Sequence, residues 1–138
     1  MRPKYLLDTN ICIYLMKHQP PQVAERFAQC RVGDVVMSAI TLAELEYGIA
    51  CSGTGSAKRR NHAALAALVD DIPVLPFDGE AAHAYGPLRA AHRARNKDAL
   101  DKLIAAQAVA AGVTLVTNNE ADFLGFEGLR VENWVAEH

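Results

Sequence analysis

The chain has 138 residues, 51% of them apolar, a length and composition that enclose one substantial core and hardly two, so one domain over residues 1–138 is expected. Lys plus Arg number 14 against 16 Asp plus Glu, a formal net charge of −2, which excludes a large global field for a polyanion and leaves only a local basic patch for nucleic acid. The apolar run after the basic start, Tyr5-Leu6-Leu7, is too short for a signal peptide, and the charge-free stretch 103–119 is broken by Gln107, Gly112, Thr114 and Thr117; no membrane is addressed and the cytoplasm is the default.

In chain order, Tyr5-Leu6-Leu7 predicts a buried first strand. Asp8-Thr9-Asn10 follows, and Ile11, Tyr14 and Leu15 recur at helical spacing, so Asp8 lies where a strand ends and a helix begins. Pro20-Pro21 breaks that helix; residues 23–27 predict a short one and residues 35–37 a second strand. Ser38 to Thr41 leads into Leu42, Leu45 and Ile49, a helical stripe that Gly48 weakens and that ends by Cys51. Residues 52–56 are the one flexible tract.

Leu65, Leu68, Val69 and Ile72 trace another helix, and residues 73–75 a third short strand. Asp78 can cap the next helix, with Ala81, Ala84, Tyr85 and Leu88 inward and Pro87 as a source of a kink. Leu100, Leu103, Ile104 and Val109 mark a later helix with Gly112 at its stop. Residues 113–116 form the clearest strand, 117–122 a loop, and 129–131 a last edge strand. Alternating strands and helices predict an α/β fold, a mostly parallel sheet of short strands flanked by helices.

The three cysteines, Cys12, Cys30 and Cys51, are widely spaced among apolar neighbours and read as reduced, buried thiols. The histidines, His18, His62, His83, His92 and His138, show no close ligand pairing, so no zinc site is readable.

The acidic residues carry the chemistry. Ligands of open α/β sheets gather beyond the carboxyl ends of the strands, and Asp8, Glu44, Asp101 and the loop holding Asn119 and Asp122 are each placed near such a rim. Carboxylates forced together repel and take up protons unless a cation compensates. Mg²⁺ or Mn²⁺ suits oxygen ligands, and phosphodiester hydrolysis needs the charge neutralisation and activated water that such an ion supplies. Each acid also has a structural reading. Asp8 can cap the first helix, Thr41-Leu42-Ala43-Glu44 fits a capping box, and Asp98 with Asp101 suits a helix start.

Five segments together resemble the PIN-domain family, and within it the VapC-type toxins of bacterial toxin-antitoxin pairs. They are Leu6-Leu7-Asp8-Thr9-Asn10-Ile11; Ser38-Ala39-Ile40-Thr41-Leu42-Ala43-Glu44-Leu45-Glu46-Tyr47-Gly48; Leu100-Asp101-Lys102-Leu103-Ile104-Ala105-Ala106; Leu115-Val116-Thr117-Asn118-Asn119 with Asp122-Phe123; and Gly128-Leu129-Arg130-Val131-Glu132-Asn133-Trp134. Order and spacing match over essentially the whole chain. The resemblance implies a PIN-like sheet of about five strands and a metal-dependent endoribonuclease that acts on RNA. It further implies a cognate antitoxin protein as partner and usually a homodimer.

It also implies that Asp8, Glu44 and Asp101 are the family's first three acids, with Asp8 and Asp101 as direct Mg²⁺ ligands and Mn²⁺ as a substitute. Many relatives carry Asp where this chain has Asn119, whose carbonyl can still bind metal or hold a water; Asp122 is the other claimant to that fourth position. Glu44 is expected to complete the shell or orient the attacking water, and Thr117 with Asn119 to position water or phosphate.

Arg89 and Arg93 share a helix face that Arg95 and Lys97 extend, and they are candidates to guide RNA phosphates; Lys58-Arg59-Arg60 is a second candidate, and His92 a third. An ordinary solvated face is the competing reading. Tyr14, Leu45 and Ile49 are candidates for a dimer surface. Two rival functions remain: a phosphatase or phosphotransferase with Asp8 as nucleophile, weakened by Asn10 where a second Asp is usual, and a non-catalytic module that only binds protein.

Overall fold

A computed structural model of the chain describes residues 2–93 and 99–136. Tyr5–Leu7 forms β1, and its alternation sends Leu6 to one face of the sheet and Leu7 to the other, both fully buried. Asp8 ends the strand and caps α1, Thr9–Lys17, and His18 closes that helix in the left-handed conformation. Pro21, whose fixed φ suits a first helical position, starts α2, Pro21–Ala28. Then follow β2, Val35–Ser38, and α3, Ala39–Ala50.

The remaining elements are α4, Ser56–Asp71; β3, Val74–Leu75; α5, Gly79–Ala91; α6, Ala99–Ala111; β4, Thr114–Val116; a 3-10 turn, Glu120–Phe123; and β5, Arg130–Glu132. Asp78 caps α5 by accepting the Ala81 amide, as its position in the sequence suggested, and Pro87 lies inside that helix.

All the strands are parallel, in the order β3-β2-β1-β4-β5. The chain winds from β1 out to β3, crosses back over the sheet and continues on the far side of β1. The point where the winding direction changes therefore falls between β1 and β4. Helices cover both faces. Leu7, Met37 and Val116 pack under α1, α2, α3 and α4 with Ile11, Cys12, Val23, Leu45 and Leu65. Leu6, Val36 and Leu115 pack under α6 with Ile104, Ala105 and Ala108. Each fully buried Leu or Ile contributes about 1.5–3 kcal/mol relative to exposure.

Several local expectations are corrected. Helix α3 begins at Ala39, with Ser38 Oγ accepting the Ile40 amide at 2.9 Å, so the capping box from Thr41 to Glu44 does not form. Helix α4 starts at Ser56, much earlier than its apolar stripe, and takes Lys58, Arg59 and Arg60 into its first turns. The 117–122 loop contains the start of the 3-10 turn, which includes Asp122. Leu45 and Ile49, expected at a dimer surface, are each 5% exposed inside the core, and Tyr14 is half-buried with its hydroxyl bonded to Asn118. Among the thiols Cys12 is buried, Cys30 half-buried and Cys51 exposed, so only the first matches the expected burial. Among the described residues no helix is long and apolar enough to cross a membrane.

Candidate active site

The carboxyl rim of the sheet, at the change of winding between β1 and β4, is where an open α/β sheet offers its crevice. Leu7 pairs with Val116 in the parallel register, so the residues that leave those strands, Asp8 and Thr117, emerge side by side. The Asp8 amide donates to the Val116 carbonyl at 3.0 Å, which fixes that juxtaposition.

Asp8 is 6% exposed. Its Oδ1 accepts the Ile11 amide at 2.9 Å, so the helix-cap reading holds. It does not exhaust the carboxylate, which also accepts a hydrogen bond from the Thr117 hydroxyl. Burial foremost holds the Asp8 carboxyl above its ordinary range; the bonds from Thr117 and Ile11 oppose this, and the negative charge of Glu44 adds to it. Glu44 therefore stands within electrostatic reach of Asp8 although 35 residues separate it from Thr9.

Glu44 is oriented by a residue the sequence reading passed over. Thr9 Oγ1 donates to Glu44 Oε1 at 2.7 Å and lies 3.5 Å from the hydroxyl of the fully buried Thr41. A hydroxyl directly after Asp8, at the first helical position, was the only signal for it.

Thr117 is completely buried, and its Oγ1 accepts the Asn119 amide at 3.0 Å. The side chain of Asn119 is exposed beyond it. Asn118 donates to the Tyr14 hydroxyl at 3.2 Å and ties this loop to α1. Asp122 is exposed one turn further on, its amide bonded to the Asn119 carbonyl.

Asp101 reaches the rim by topology. Helix α6 passes through Gly112 directly into β4, so it runs antiparallel to the strand, and its first turn, with half-buried Asp101, lies toward the carboxyl end. Thirteen helical residues span about 20 Å, ample to carry that turn past a three-residue strand.

Among the described residues, no group of three or more His, Cys, Asp or Glu is arranged to enclose a metal ion. Thr117 stands against Asp8, Glu44 is held beside it through Thr9, Asn119 follows two residues after Thr117, and Asp101 lies in the first turn of the helix that leads into β4. These donors are all oxygen, which suits a hard cation such as Mg²⁺, an ion commonly held by one or two carboxylates with waters and substrate phosphate.

Arg89 and Arg93 are exposed; Arg89 Nη1 donates to the Tyr85 hydroxyl at 2.9 Å and its guanidinium lies over that ring. Arg95, Lys97, Asp98 and His138 lie outside the described residues. His92 packs its ring edge against Phe126 with centroids 4.4 Å apart, a packing role. Cys12 lies beneath the site, and burial, then the charge of Asp8, push its thiol far up.

Residues 5–126 match the model of the PIN domain. The "tRNA(fMet)-specific endonuclease VapC" of Shigella flexneri is 40% identical over 133 residues, covering 95% of this chain and 98% of that protein. "Ribonuclease VapC2" of Haemophilus influenzae is 37% identical over 134 residues, covering 96% and 98%. Among solved structures, DNA-bound VapBC from Salmonella typhimurium superposes with a TM-score of 0.85 at 35% identity, over 96% of this chain and 98% of that one.

Proposed function

Because the chain belongs to the PIN-domain family, with VapC proteins as its relatives, we propose that it is the toxin of a toxin-antitoxin pair, a cytoplasmic Mg²⁺-dependent endoribonuclease. The observation that carries this reading is the pairing of buried Asp8 with Glu44 at the carboxyl rim between β1 and β4. A buried carboxylate with a second, half-buried acid near it is costly when both are charged, and a cation there offsets that cost.

In this reading Asp8 and Asp101 hold Mg²⁺, for which Mn²⁺ can substitute. When bound, the ion supplies neutralisation of phosphate oxygens and a more acidic water for the displacement at phosphorus. Thr117 keeps the Asp8 carboxylate in one rotamer, and the Asn119 side chain, exposed beside it, holds a water or a phosphate oxygen. Glu44 has Oε1 engaged by Thr9 and offers Oε2 to the hydrogen of the attacking water. The partners are an RNA substrate, a cognate antitoxin protein and a second copy of the chain; relatives solved as VapBC support the antitoxin.

The test incubates purified protein with RNA, with and without Mg²⁺, and sequences the ends produced. Cleavage that needs the ion, disappears with chelator, returns with Mn²⁺ and is lost in Asp8→Asn supports the proposal. RNA left whole while small phosphate esters are hydrolysed would replace it with the nucleophilic Asp8 reading.

A further inference from the structure

A cavity of about 250 Å³ opens between α1, α3 and α4, and Glu44 forms part of its wall. From the geometry we infer that this cavity receives one unstacked base of the RNA, that of a nucleotide beside the scissile phosphate. The inference rests on the ribonuclease reading and adds to it a subsite for substrate selection.

Position comes first. Glu44 lines the cavity and is bonded at 2.7 Å to Thr9, the residue after Asp8, so a strand whose phosphate lies at the two acids has its neighbouring nucleotide at the cavity mouth. Size comes next. The volume falls below the roughly 300–1,000 Å³ of pockets for drug-sized ligands, which suits one ring system.

The lining chemistry also fits. Ile13 and Met16 supply apolar contact for a ring face, Met16 through a polarisable thioether. Lys17 adds a cation at the edge for a backbone phosphate, and exposed Asn61 brings a carbonyl acceptor and an amide donor that can meet a base edge. Sequence-selective proteins commonly read RNA through such splayed, single-stranded bases.

Gly48 is the most pointed observation. It sits inside α3 one turn after Glu44, where glycine costs about 1 kcal/mol relative to alanine. A Cβ built there would meet nothing within 4 Å, so packing within the chain does not require glycine. A planar base laid against the bare backbone would account for it.

The experiment first maps the bond that the parent protein cuts in single-stranded RNA of mixed sequence with Mg²⁺. Each nucleotide flanking that bond is then replaced by an abasic one, and the substrates are compared on the parent, Gly48→Leu and Asn61→Ala. One abasic position should lower the parent's kcat/KM at least about tenfold. Gly48→Leu should cut the intact substrate equally poorly, with no further loss on the abasic one, and Asn61→Ala should cut but with relaxed base preference. Thermal melting checks the fold, and Gly48→Leu should melt no lower than the parent.

If the parent cuts all abasic substrates as well as the intact one, or Gly48→Leu cuts like the parent, the inference is overturned. Unchanged cleavage by Gly48→Leu with lost antitoxin binding would assign the cavity to a protein partner instead. A parent protein that cuts no RNA at all withdraws the ribonuclease reading itself, a result distinct from these.

Discussion

Asp8 carries two duties at once, because its Oδ1 starts α1 while the same carboxylate meets Thr117 and the charge of Glu44. The helix-cap and active-site readings of this residue are thus compatible. Its carboxyl, raised mainly by burial, binds a proton more tightly in the folded chain than in the unfolded one. Stability is then full below the ordinary Asp range, near pH 4, and is lost as pH rises through the raised folded value. Asp8→Asn keeps a cap acceptor and removes the charge. In metal-free buffer it should melt above the parent at neutral pH, with the gap closing in acid, while RNA cleavage falls at least about 100-fold. Thr9→Val should lower kcat about 10- to 100-fold with little change in KM, since it frees Glu44 to rotate; Thr9→Ser, which keeps the donor at 2.7 Å, should recover most of it. Steady-state kinetics on one RNA separate these variants.

Helix α6 shows how one element serves both core and site. Its inward stripe of Ile104, Ala105 and Ala108 seals the Leu6 face of the sheet, and its first turn holds Asp101, the residue proposed for the site. Ile104→Ala, at 1% exposure, should cost about 2–5 kcal/mol in urea unfolding. Gly112 holds φ at +69° between α6 and β4, a conformation that charges an L side chain about 1–2 kcal/mol. Gly112→Ala should destabilise by that amount, measured by the same titration. Helix α3 is the complementary case. Because Ser38 supplies the cap, Glu44 lies beyond the first turn and is free to turn toward Thr9.

At the scale of the whole molecule, a net charge of −2 gives a polyanion no general attraction, so the proposed RNA binding would have to come from local cations. If Arg89 and Arg93 meet phosphates, replacing both by Gln should weaken RNA binding and reduce the slope of log affinity against log salt by about 0.7 for each lost contact. An unchanged slope in a filter-binding titration would remove them from the interface. Much of this molecule was legible in its sequence. The strand ends at Leu7 and Val116 follow from apolar runs and turn residues, whereas Asp8, Glu44, Asp101 and Asn119 are singled out as a site by the resemblance of the segments around them to the PIN-domain family. Those signals are local, fixed by the pleat, the helix repeat and the conformational cost of glycine and proline. Strand order is not local. Only the folded sheet set β1 beside β4, placing Thr117 against Asp8, and only helix packing turned Glu44 to Thr9 and buried Leu45 and Ile49. Such choices depend on contacts between residues far apart along the chain, whose free energy belongs to the assembled layers and to no single segment.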